Sequence, residues 1–200
     1  MSASSYDASW LQFPEHPWLV VCSLIRASDY LVNPETHSAI GSVVSIADVV
    51  YSPTSRHHRP SEKAIMTVPL RCVLTFDDVF DDDSYGVPPE PEDIARLIRF
   101  VRKVERERVG PRARTLIHCH AGISRSTAAG LIWLAETLGP GREEEAAAEL
   151  VAACVDKEPF PNLTMVRYAD EQLDRKGRLL SVAKNFSRLG GLLARSAPKD

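Results

Sequence analysis

The 200-residue sequence has no C-x-x-C pair; its four cysteines, Cys22, Cys72, Cys119 and Cys154, are widely spaced. That fits a reducing cytoplasm better than a disulfide framework. The N-terminus lacks a basic region followed by an apolar core, so no signal peptide is expected. No apolar run approaches the length of a membrane span. Positive charge is not in excess, since the net charge is −3, and nothing global points to nucleic acid or an anionic membrane. No internal repeat is present. What remains is ordinary globular composition, 44% hydrophobic and 26% charged, enough for one substantial core. A single domain is expected over residues 13–195, with the small, polar residues 1–12 as a flexible tail.

Residues 114–126 stand out: Arg-Thr-Leu-Ile-His-Cys-His-Ala-Gly-Ile-Ser-Arg-Ser. Thr115-Leu116-Ile117 reads as a buried strand. Cys119 follows, then a five-residue loop from His120 to Ser124, then Arg125 and an alanine-rich apolar segment to Leu138. Strand, tight loop and helix start build an anion site, because loop N–H groups and the positive end of the helix converge there. Both the helix end and Arg125 favour the thiolate of Cys119. The planar fork of Arg125 suits two oxygens of one anion. Gly122 lets the loop curl close to a ligand. The Ser126 hydroxyl can donate to the thiolate, and His118 is expected to order the loop by hydrogen bonds.

This stretch resembles the Cys-x5-Arg-Ser/Thr signature of cysteine-dependent protein phosphatases. It is most similar to the dual-specificity group and its small bacterial tyrosine-phosphatase-like relatives. The resemblance covers about residues 18–175 and is specific at 118–126. It implies an α/β fold with a central mixed, mainly parallel sheet of four to five strands flanked by helices. It also implies Cys119 as nucleophile, with the loop from His120 through Ala121, Gly122, Ile123 and Ser124 to Arg125 binding phosphate. Ser126 would assist the departing thiolate. No cofactor and no metal are implied.

Rival readings of the same residues fare worse. Gly122 to Ser126 nearly matches a G-x-S-x-G elbow, but that triad ends in a histidine and none follows His120. His118, Cys119 and His120 alternate in direction along an extended segment, and no second ligand pair follows at zinc-like spacing. The low-molecular-weight phosphatase type places its cysteine near the N-terminus, whereas Cys119 lies past the middle.

Along the rest of the chain, strands are expected at 18–22, 39–46, 64–68 and 71–76, and a short helix at 26–31. Pro91-Glu92-Asp93 opens a longer helix, with Ile94, Leu97, Ile98, Val101 and Val104 on its buried face. Helices are also expected at 127–138, from Glu143 to about Val155, and at 163–175. Leu179, Val182, Phe186, Leu189 and Leu193 form a last apolar stripe that packs on the domain. Residues 52–63, with His57 and His58, read as a solvated loop. Strands first and helices later make an α/β fold.

Phosphate-ester cleavage needs a proton for the leaving oxygen. In the resembled family an aspartate supplies it from the loop after the strand that precedes the long helix. Here Asp78 takes that place, with Asp77 second and Asp81 third. Together these features imply a phosphate monoester hydrolase of tyrosine or dual-specificity type, cytoplasmic, acting on a phosphorylated protein or a small phosphate ester. A phosphoinositide phosphatase and a non-catalytic phosphate-binding module are the alternatives. Cys22 and Cys72 on neighbouring strands are candidates to pair with an oxidised Cys119, although a structural role for both is the reading preferred.

Overall fold

The computed structural model describes residues 11–49, 62–79, 85–108, 113–155 and 157–186. Four strands form one sheet: β1 (Leu19–Ser23), β2 (Ile40–Ala47), β3 (Leu70–Thr75) and β4 (Arg114–Cys119). Their order is β1-β4-β2-β3, and every pairing is parallel. The sheet therefore lies at the parallel end of the expected range. The near-continuous burial of β1, β2 and β4 is what a sheet covered on both faces requires.

Parallel neighbours need crossovers, and helices supply them. Between β1 and β2 run α1 (Leu24–Val32) and α2 (Pro34–Ala39), with Asn33 ending one and capping the next. The expected strand at 64–68 is instead a helix, α3 (Glu62–Thr67). The reason is topological. The chain must travel back between β2 and β3, and an apolar run this short carries no periodicity that separates strand from helix. Only Val68 is fully buried there, and Arg71 donates to the carbonyls of Met66 and Val68 at the helix end.

The other face is covered by α4 (Pro91–Glu107), α5 (Arg125–Leu138), α6 (Glu143–Ala153) and α7 (Leu163–Gln172). The α4 stripe is buried as its spacing requires. Residues 125–135 of α5 are buried all round, so α5 is the central helix of this layer. One hydrophobic cluster joins these helices to the sheet; a second, with Leu11, Ala27, Tyr30, Leu31 and Val68, fills the α1–α3 side. Fully burying a Leu or Ile contributes about 1.5–3 kcal/mol each. A final helical segment over 178–186 buries Leu179 and Val182. His57, His58, Leu189 and Leu193 lie outside the described residues.

This order sets the site. The chain skips a place between β1 and β2, and β4 fills it. A ligand in a parallel sheet binds beyond the C-terminal strand ends at such a switch point. Ser23, Cys119, Ala47 and Thr75 are those ends.

Candidate active site

Cys119 is the last residue of β4 and is buried. The Gly122 N–H donates to its sulfur at 3.3 Å, and Ser126 Oγ lies at the same distance. Gly122 has φ +75°, and a Cβ there would sit 2.4 Å from the Ser23 backbone nitrogen. Only glycine lets the loop pass the end of β1.

The loop carbonyls turn outward onto neighbours. His120 O accepts from Leu24 N–H, Ile123 O from Phe160 N–H, and Ser124 O from Asn162 N–H. Thr127 Oγ1 also donates to Ile123 O and Ser124 O. In a trans peptide plane the next N–H points the opposite way, and the chain contains no cis bond among the described residues. The N–H groups of Ala121, Ser124 and Arg125 are thus turned inward. With Gly122 N–H they form a nest of donors at the positive end of α5, the arrangement that holds an anion.

Arg125 is buried, with its plane fixed from several sides. Nη1 donates to Phe76 O at 2.7 Å, and Nη2 lies 2.7 Å from Asp48 Oδ1. Nε is 3.9 Å from Asp78 Oδ2 and makes no hydrogen bond among the described residues. One edge is therefore tied to backbone, while Nε and Nη2 face two carboxylates. His120 is largely exposed, with Nδ1 3.8 Å from Asp48.

The neighbours Asp77 and Asp78 have separate tasks. The Asp77 carboxylate accepts the N–H groups of Val49 at 3.0 Å and Val87 at 2.8 Å, which ties two loops together. Gly86 packs so closely on it that a Cβ would meet the Asp77 Cβ at 2.9 Å. Asp78 turns the other way: its Oδ1 accepts from Ser124 Oγ at 2.7 Å and from Asn162 Nδ2 at 2.9 Å. Asp81 lies outside the described residues.

His118 departs from its expected task. Its ring is buried, and neither nitrogen has a hydrogen-bond partner among the described residues. Burial pushes its pKa down to about 4, against a weaker upward pull from the Cys119 backbone. It is a neutral side chain packed beside the cysteine, not an organiser of the loop by hydrogen bonds. For the cysteines the geometry favours the structural role that was the preferred reading over pairing with Cys119. Cys22 pairs in register with His118, so it points to the opposite face from Cys119. Cys72 pairs with Val44 and Val44 with Ile117. That places Cys72 two strands away, about 10 Å at 4.8 Å per strand, beyond disulfide reach. Burial pushes the Cys72 thiol up to about 11, which marks it as structural.

Two residues were not visible in the sequence. Asp48 is a solitary acid after a strand, and Asn162 is one asparagine in a Pro-Asn turn. Each reaches the site only through folding. Asp48 follows the end of β2, which the sheet order places beside β4. A cavity of about 690 Å³ bordered by Leu11, Phe13, Tyr30, Val151 and Val155 shares no residue with this cluster.

The protein-tyrosine phosphatase family model matches residues 83–148, about a third of the chain, including the whole Cys119–Arg125 loop. Over those residues the chain is similar to the protein-tyrosine phosphatase family. Among solved structures, a mouse putative dual specificity phosphatase complexed with zinc tungstate is similar at TM-score 0.50 and 14% identity, covering 91% of this chain and 96% of that one. Tk-PTP in its active form gives TM-score 0.44 at 20% identity, covering 72% and 86%. Human tyrosine phosphatase-like serine/threonine/tyrosine-interacting protein gives 0.46 at 19%, covering 67% and 76%. The mouse structure supports the fold. No curated protein matches the sequence.

Proposed function

We propose that this chain is a member of the cysteine-dependent protein tyrosine phosphatase superfamily, a phosphate monoester hydrolase of protein-tyrosine or dual-specificity type acting through a phosphocysteine at Cys119. The observation that carries the reading is the convergence of a thiol, an anion nest, a fixed guanidinium and one carboxylate around a single strand end. The Cys119 thiolate attacks phosphorus and forms the S–P bond. The P–O ester bond breaks, and the leaving oxygen keeps the electron pair and takes the proton from Asp78. Water then attacks the phosphocysteine and gives its proton to the Asp78 carboxylate. The S–P bond breaks with its electrons returning to sulfur, where the Ser126 hydroxyl and Gly122 N–H stabilise the charge. Loop amides and Arg125 stabilise the equatorial oxygens of the transferring group. No metal or cofactor takes part.

The substrate favoured is a phosphorylated protein rather than a polyphosphorylated inositol. The loop from His120 to Ser124 contains no lysine, and Asp48 stands at its mouth. Further phosphates on a small ring would meet that carboxylate. The domain over residues 13–195 is the catalytic unit, working in a reducing cytoplasm; no described helix is long and apolar enough to cross a membrane.

The test is hydrolysis of a chromogenic aryl phosphate, followed by acid quench of the Asp78→Asn variant to trap the intermediate. Turnover with phosphate on Cys119 is expected. Phosphate binding without turnover would leave the chain a phosphate-binding module. A panel of phosphotyrosine, phosphoserine and inositol phosphates then ranks the substrates.

A further inference from the structure

We infer that the mouth of this site carries an apolar docking collar, which selects phosphorylated protein segments with large apolar side chains two or three positions from the phosphorylated residue. The inference rests on the proposed hydrolase activity and narrows its substrate class.

All four strands run parallel, so they end together at the Cys119 side of the sheet. Among the described residues ten large apolar side chains are exposed, and five of them stand in the segments that leave those four ends. Ile25 follows β1, Val49 follows β2, Tyr85 and Val87 lie in the chain after β3, and Ile123 lies in the loop after β4. The other five are dispersed over α1, α3, α6, β3 and the chain ahead of β1. A single exposed apolar residue needs no explanation, but a group of them around a polar centre marks an interaction surface.

Hydrogen bonds hold three of these segments in place. Asp77 Oδ1 accepts the Val49 N–H at 3.0 Å, and Oδ2 accepts the Val87 N–H at 2.8 Å. The two valines therefore flank a single carboxylate. Asp77 N–H donates in turn to Val87 O at 2.7 Å. With that backbone paired, the side chains of Val49 and Val87 are still 42% and 44% exposed, and Tyr85 is fully exposed. On the opposite side, Leu24 N–H donates to His120 O at 3.2 Å, which sets the neighbouring Ile25 beside the Cys119 loop.

The centre of the collar is polar. Asp48, next to Val49, pairs with Arg125, and Asp78, next to Asp77, faces Arg125 Nε. The phosphoryl group enters at that centre, and the chain on either side of it passes over the collar. Neighbouring strands lie about 4.8 Å apart, so the ends of β2 and β3 stand about 5 and 10 Å from that of β4. An extended peptide advances about 3.3 Å per residue, which brings its second and third residues from the phosphorylated one over Val49, Val87 and Tyr85. A lipid surface fits less well. Asp48 and Asp78 lie inside the collar, and the sequence between Asp78 and Tyr85 adds Asp81, Asp82 and Asp83. That sign repels anionic headgroups.

The experiment uses the full chain and three substrates. They are phenyl phosphate, a phosphotyrosyl peptide with serine at the second and third positions on each side, and the same peptide with leucine there. Leucine is expected to raise kcat/KM about tenfold over serine, through KM. A triple variant carries Val49→Thr, Val87→Thr and Tyr85→Ser. Threonine keeps the shape of valine and the N–H that binds Asp77, and exchanges one methyl for a hydroxyl. This variant should bring the leucine peptide to within about twofold of the serine peptide. Phenyl phosphate and the serine peptide should change by less than about twofold, and the melting temperature should hold. Equal rates for the two peptides with wild type, or an equal loss on all three substrates in the variant, would overturn the inference. It also falls if the peptide ranking survives in the variant while sedimentation with phosphatidylserine–phosphatidylcholine vesicles, or self-association, is lost. The collar would then serve a membrane or a second copy. If the wild type leaves phenyl phosphate intact, the hydrolase reading falls by itself. The collar is then judged by binding of the two phosphopeptides to Cys119→Ser, where the same tenfold ranking, about 1.4 kcal/mol, is expected.

Discussion

Residues 119–125 and residues 76–79 both leave the C-terminal ends of strands and meet over Arg125, yet they are held in different ways. In the loop after β4, the thiol, the N–H donors and the guanidinium all lie within one short stretch. Gly122 N–H and Ser126 converge on the sulfur from the same stretch. The loop after β3 takes its shape from elsewhere. Asp77 is bonded to Val49 and Val87, and Asp78 to Ser124 and Asn162. The first loop is a local motif with covalent order behind it. The second is a meeting place of separate chain segments. A binding loop can thus be complete in itself, while the acid beside it depends on distant packing.

The largest test of that contrast strikes the local motif. Cys119→Ser should abolish turnover, because a serine hydroxyl is not ionised near neutral pH, while phosphate still binds to the amides and Arg125. Turnover near the wild-type rate would refute the covalent route. Next, Arg125→Lys should lower kcat/KM by about 10²–10³, the loss seen when a donor to a developing oxyanion is removed. Lysine keeps the charge but cannot span Phe76 O and two phosphate oxygens in one plane.

The dispersed loop should respond selectively. Asp78→Asn should cost on the order of 10²-fold with a phosphotyrosine substrate and far less with an acidic phenol. Asp77→Asn should instead lower the melting temperature, since it loses hydrogen bonds worth about 1 kcal/mol each, and leave the leaving-group dependence alone. The reverse pattern would exchange the two residues and keep the mechanism.

A smaller effect concerns His118. Its folded pKa of about 4 lies below its ordinary 6.5, so the unfolded chain binds the proton first as pH falls. Stability is complete above 6.5 and is lost as pH drops from there toward 4. Thermal melts of wild type and His118→Gln across that window should converge in acid; parallel curves would mean that the ring is solvated. The smallest effect is expected from Asp48→Asn. Its carboxylate competes with substrate oxygens for Arg125 Nη2, so KM should fall by roughly threefold with kcat unchanged. A matching fall in kcat would give Asp48 a part in the chemical step.

Much of the fold was legible because its signals are short-ranged. The α4 stripe repeats every three to four residues, and each of its predicted apolar positions is buried. The strand before Cys119 is marked by its own β-branched, apolar run. Residues 64–68 misled because five apolar and small residues hold no period, and the crossover that makes them helical is a property of the sheet. His118 misled for a related reason. A histidine beside a nucleophile suggests hydrogen bonds, and only the packed interior shows that its ring has none among the described residues.

The sequence alone determined the phosphate loop: a strand, a cysteine, five residues with a glycine inside, an arginine and a helix. Those parts are joined covalently, so their order nearly dictates their shape. Tertiary structure decided which aspartate faces the pocket, that Asp48 reaches Arg125, and that Asn162 braces Asp78. Adjacent residues in extended chain point to opposite sides, so Asp77 and Asp78 cannot be told apart until the sheet has a direction. Asp48 lies 77 residues before Arg125, and Asn162 84 after Asp78. Contacts over such separations exist only once β4 has entered between β1 and β2 and α7 has packed beside the strand ends.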